Sequence, residues 1–130
     1  MTAMLADRLA AALAGVLAVD AEPDGALTVR HDGTLASLRV VPIAEDLELV
    51  SLTQILGWDL PLTTTLRQRA AEQAGLSQLG TVTLVERDAE FADAMLRYNF
   101  PGTGLTDDAL RTLVLLVLTK GVDIRDALTG

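Results

Sequence analysis

Few residues of this sequence have the types and spacing that chemistry requires. His31 is the one histidine, next to Asp32-Gly33. A neutral imidazole can act as a general base, but it needs a nucleophile or a substrate proton within reach. Ser37, Ser51 and Ser77 are the only serines, and none stands in a G-x-S-x-G elbow or at useful spacing from a lysine. His31 therefore reads as a solvated turn residue. With no cysteine, the chain has no thiol nucleophile, thiolate zinc site, iron–sulfur site or disulfide.

Oxygen ligands and glycine loops are equally incomplete. Asp20-x-Glu22-x-Asp24-Gly25 has the alternation that opens a calcium loop, yet His31 stands where the bidentate glutamate belongs, and strand rather than helix follows. Asp107 and Asp108 follow Thr106, and a helix start explains all three: a hydroxyl cap and two acids at the positive end of the dipole. Gly102-Thr103-Gly104 precedes that helix without a lysine, and the aspartates would repel a phosphate. Trp58, between Gly57 and Pro61, reads as a core anchor or an exposed binding residue, and the core is favoured because large aromatics are mostly buried. No metal, cofactor or catalytic residue is expected, and the chain is not read as an enzyme.

The composition narrows the partners. The net charge is −8 and Lys120 is the only lysine, so clustered cations for nucleic acid are lacking and a basic protein suits the chain better. Trp58, Tyr98, Phe91 and Phe100 are the only aromatics, too few for a stacking platform. The densest aliphatic run, Leu113 to Leu118, is far short of the roughly 20 residues that span a membrane, so it reads as a buried helix segment. Asp7 and Arg8 precede the N-terminal apolar run and no basic leader is present, which makes the cytoplasm the expected compartment. One domain over residues 1–130 is expected from the length.

These residues must be positioned by the elements around them. Leu5, Leu9, Leu13 and Leu17 recur at i+4 spacing and predict a helix over 3–18, which Pro23 and Gly25 stop. Leu27 to Arg30, the turn Asp32-Gly33 and Leu35 to Val41 predict a hairpin. Leu47 to Leu52 predicts a third strand, with Leu52 to Leu56 also readable as a helix start. Gly57 to Pro61 reads as a connection. Thr63 to Thr65 offer caps for a helix closed by Gly75. Thr81–Val85 and Phe91–Phe100 predict a second hairpin, the latter setting Met95, Arg97 and Asn99 against Ala94, Leu96, Tyr98 and Phe100.

From Thr106 one long final helix carries Leu110, Val114, Val117, Gly121, Ile124 and Leu128 along a heptad seam, with a bend or break at Gly121 left open as the alternative. Leu113, Leu115, Leu116 and Leu118 occupy other angles, so this helix needs cover on more than one side. One cover is the chain's own sheet and the other a partner. The expected docking or dimer residues are therefore Leu5, Leu9, Leu13, Trp58, Val114, Val117, Gly121 and Ile124.

Met95-Leu96-Arg97-Tyr98-Asn99-Phe100-Pro101, followed by Gly104-Leu105-Thr106-Asp107-Asp108-Ala109-Leu110, resembles the end of a YbjN-type domain. The element order resembles that bacterial group and the related type III secretion chaperones of the Tir chaperone class. The resemblance implies an α+β fold of order α-β-β-β-α-β-β-α, a twisted antiparallel sheet packed by helices. It also implies non-catalytic work as a homodimer: holding or regulating a protein client. A small-molecule-sensing regulatory domain, with a pocket between sheet and final helix, is the alternative.

Overall fold

Alternating apolar residues build the strands, and turn residues mark where the chain reverses. The structure, a computed structural model, describes residues 4–130. The fold is α+β. The described residues run α1 (Leu5–Ala14), β1 (Ala18–Ala21), β2 (Leu27–His31), β3 (Thr34–Ala44), β4 (Leu47–Pro61), α2 (Thr64–Leu76), β5 (Thr81–Glu86), β6 (Phe91–Pro101) and α3 (Asp107–Thr129). The strands form one antiparallel sheet in the order β1-β2-β3-β4-β6-β5.

The β2–β3 hairpin closes as its sequence predicts. His31 stands opposite Thr34, and both residues between them have positive φ, 46° at Asp32 and 79° at Gly33. A two-residue turn of that hand matches the twist of the strands it joins, and Asp and Gly tolerate it best.

All three helices cover one face of the sheet. Leu9 and Leu13 of α1, Leu66 and Ala70 of α2, and Leu110, Val114, Val117 and Leu118 of α3 share one core with Leu38, Val50, Leu52 and Leu96 of the strands. The helix α3 lies in the middle, flanked by α1 and α2. Polar contacts fix its N-terminal end. The Thr106 hydroxyl accepts from the Ala109 amide at 3.1 Å, and Arg8 of α1 reaches Asp107 at 2.9 Å. Arg111 donates to the Ala12 carbonyl at 2.9 Å, filling one of the acceptors that a helix C-terminus leaves open.

Two expectations are corrected and two open ones decided. The first helix ends at Ala14, and Ala18–Ala21 is a strand, since Val19 pairs with Val29 and the hairpin satisfies backbone groups that another helical turn would leave at its end. Leu52 to Leu56 is strand, held between β3 and β6. Gly57 to Pro61 continues β4 through two register shifts, with Asp59 at φ 50°. Finally, α3 runs unbroken through Gly121. That glycine permits a close approach: a Cβ there would lie 1.8 Å from Oε1 of Gln54.

Candidate functional site

Register sorts the strand side chains into two sets. Residues opposite one another project to the same face, so Val29, Ala36, Gln54 and Leu96 face the helices. Their neighbours project to the other face, which no helix covers among the described residues. One rung there is Arg30, Leu35, Ile55, Met95 and Thr83, and the next is Thr28, Ser37, Thr53, Arg97 and Thr81. Leu35 is exposed, and Ile55 and Met95 are half-buried by their neighbours alone. Adjacent strands lie roughly 4.8 Å apart, so Leu35, Ile55 and Met95 form an apolar stripe roughly 10 Å long.

At the bulged end of β4, Trp58 is 54% exposed. Its expected burial is overturned by the bulge, which leaves the indole outside the core. The Arg87 guanidinium lies over its ring, 5.9 Å from the centroid. Arg87 is itself held by Asp93 at 3.0 Å and Asp59 at 3.1 Å. Asp93 is buried, and its second oxygen accepts from the Asp59 amide at 2.9 Å. This carboxylate thus fixes the arginine on the indole and the backbone of the bulge together. Sequence reasoning reads Asp93 and Arg87 only as hairpin residues, because their pairing depends on the register of β5 with β6.

No family model matches this sequence, and no curated protein matches it.

The other expected docking residues lie elsewhere. Leu5, Leu9, Leu13, Val114, Val117, Gly121 and Ile124 are buried in the protomer's own core, which corrects their expected place at an interface. Much of the surplus apolar surface of α3 is covered by α1 and α2. Leu116 is the large side chain of α3 left exposed. It borders a groove of about 460 Å³ that Leu76, Leu79 and Lys120 also line, between the last turn of α2 and α3. Between β4 and α3 there is little space beside Gly121, where a Cβ would lie 1.8 Å from Oε1 of Gln54. Gln54 fills that space, donating from Nε2 to the Leu118 carbonyl at 3.1 Å and to the Thr34 hydroxyl at 2.9 Å.

The remaining candidates have structural partners. The His31 imidazole, expected to be solvated, is only partly exposed and lies 3.9 Å from an Asp32 carboxylate oxygen, while the His31 carbonyl accepts from the Thr34 hydroxyl at the hairpin turn. Asp20 pairs with Arg30, and Asp24 with Arg39 at 2.7 Å. Asp107 and Asp108 pair with Arg8 and Arg111. The loop through Gly102 and Thr103 clips the start of β4: the Gly102 amide donates to the Glu48 carbonyl, and the Thr103 hydroxyl accepts from the Glu48 amide. Among the described residues no three or more potential metal ligands gather, and no helix is long and apolar enough to cross a membrane.

Proposed function

We propose that this chain is a non-catalytic protein-binding module that docks its partner on the helix-free face of its sheet. One observation carries the reading: all three helices lie on one face, and the other presents the stripe Leu35, Ile55 and Met95 to solvent, with Trp58 exposed beyond it. An uncovered apolar strip rimmed by polar side chains is the usual anatomy of an interaction site. Methionine, tryptophan and arginine are the residues that interfaces enrich. The client-holding or regulatory role implied by the YbjN-type resemblance is a role of this kind. The homodimer it implies would use the same face, since the seam of α1 and α3 is already occupied within the protomer.

A photo-reactive residue at Thr53 on the open face, and another at Thr119 on the exposed side of α3, test the reading in a native lysate. Protein adducts are expected from position 53 and not from 119. A self-adduct there identifies a second copy as the partner. Equal labelling at both positions, or labelling at 119 alone, overturns the proposal.

A further inference from the structure

Nine arginines serve a chain of net charge −8. Eight of them reach oxygen acceptors within the chain. Arg8, Arg30, Arg39, Arg67, Arg87, Arg111 and Arg125 each meet a carboxylate, and Arg69 donates to the Gly130 carbonyl at 2.8 Å. The exception is Arg97. Its only polar contact among the described residues is the Met95 sulfur, at 3.8 Å, a weak acceptor. It is exposed on the open face, one strand in from the β5 edge and directly between Thr53 and Thr81 on the neighbouring strands. It lies one rung, or roughly 7 Å, from the stripe of Leu35, Ile55 and Met95.

We infer that the open face recognises a protein segment that sets an Asp or Glu carboxylate beside aliphatic or aromatic side chains, with Arg97 taking the carboxylate and the stripe taking the apolar groups. The inference rests on the docking face proposed above and names the chemistry of its partner. A guanidinium offers two parallel donors that match a carboxylate, and the hydroxyls of Thr53 and Thr81 flank the place where that carboxylate would sit. Removal of the apolar groups from water then strengthens the pair.

The net charge taken alone points to a basic partner, and local geometry reverses that sign. Screening confines the field of exposed charges to roughly 8 Å at physiological salt. Within that distance of Arg97 the register places hydroxyls, an amide and apolar groups: Thr53, Thr81, Ser51, Asn99 and Met95. The carboxylates Asp20 and Asp93 of this face already hold Arg30 and Arg87. At contact range, then, the free charge on this face is positive.

A random peptide library panned against the immobilised full chain tests the inference, with Arg97→Glu, Arg97→Lys and Ile55→Asp chains in parallel. Each variant is first checked for an unchanged melting temperature. Wild type is expected to enrich peptides that combine Asp or Glu with aliphatic or aromatic residues. Synthetic copies should bind the Arg97→Glu chain about tenfold more weakly or worse, and the Arg97→Lys chain with an affinity between the two, since an ammonium keeps the charge and loses the paired donors. Acidic peptides that bind wild type and Arg97→Glu equally overturn the inference. Neutral or basic peptides that depend on Ile55 overturn it while leaving the docking face intact. The absence of any peptide that depends on Ile55 overturns both.

Discussion

At Gly121 the backbone of α3 comes down onto the sheet far enough for a buried glutamine to touch it. The Gln54 Nε2 donates to the Leu118 carbonyl, while Oε1 has no hydrogen-bond partner among the described residues and faces the site where any larger residue would put its Cβ. Gly121→Ala should therefore cost about 2 kcal/mol or more, because the amide has no free volume into which to move. Gln54→Ala should cost about 2 to 3 kcal/mol through lost bonds and a cavity. The double variant should be more stable than the sum of the two losses, since the alanine at 121 then enters the space the amide leaves. Urea denaturation of the four chains measures that coupling, and strict additivity would contradict the contact. At the surface, Asp24 makes a second prediction. Donation from Arg39, aided by the Ala26 amide, holds its carboxyl below the ordinary 3.8. A lowered carboxyl contributes stability above its unfolded-state value and loses it as pH falls through the folded one. The Asp24 carboxyl should titrate below 3.8 by NMR and move upward in Arg39→Ala.

The β3–β4 hairpin shows how an element guards a free edge. β2 pairs with β3 only as far as Leu38, so among the described residues Arg39 to Ala44 has no strand on that side. The amide and carbonyl of Glu48 both point away from β3, to Thr103 and Gly102. Pro42, opposite Glu48, therefore turns its nitrogen to the free edge, where it offers no donor, and the register shift between Pro42 and Ala44 bends the edge further. Both devices discourage strand addition. Pro42→Val should leave the melting temperature nearly unchanged but accelerate aggregation, followed by light scattering at the concentration where wild type stays clear. The helix starts are equally specific. Thr106→Ala removes the cap of α3 and should cost about 1 kcal/mol in thermal unfolding, with Thr106→Ser restoring most of it.

For the molecule as a whole, the decisive fact is that one core joins all three helices to the sheet. Val117 sits fully buried at its centre, beneath neither solvent nor partner. An unpaired carboxylate in that position is costly, so Val117→Asp should abolish cooperative unfolding instead of merely changing an oligomer. A chain that keeps its folded circular dichroism signal and changes only in sedimentation would contradict this packing. The surface is divided as well: helices and their ion pairs on one side, a largely hydroxyl-bearing and apolar sheet face on the other. The outer set of β6, Met95, Arg97 and Asn99, is visible in the sequence as an alternation against Leu96, Tyr98 and Phe100.

Local residue types were sufficient for much of the architecture. The Asp32-Gly33 turn, the caps Thr63 and Thr106, and the alternation of β2, β5 and β6 act within a few residues, so each could be read from its own neighbourhood. What covers α3 could not be read that way. Its surplus of leucine and valine requires cover but does not say whose, and the packing of α1 and α2 beside it supplied that cover from the same chain. The burial of Asp93, the exposure of Trp58, the glutamine beneath Gly121 and the unpaired state of Arg97 likewise depend on strand register. Register brings together residues far apart in sequence, and only the folded sheet determines it.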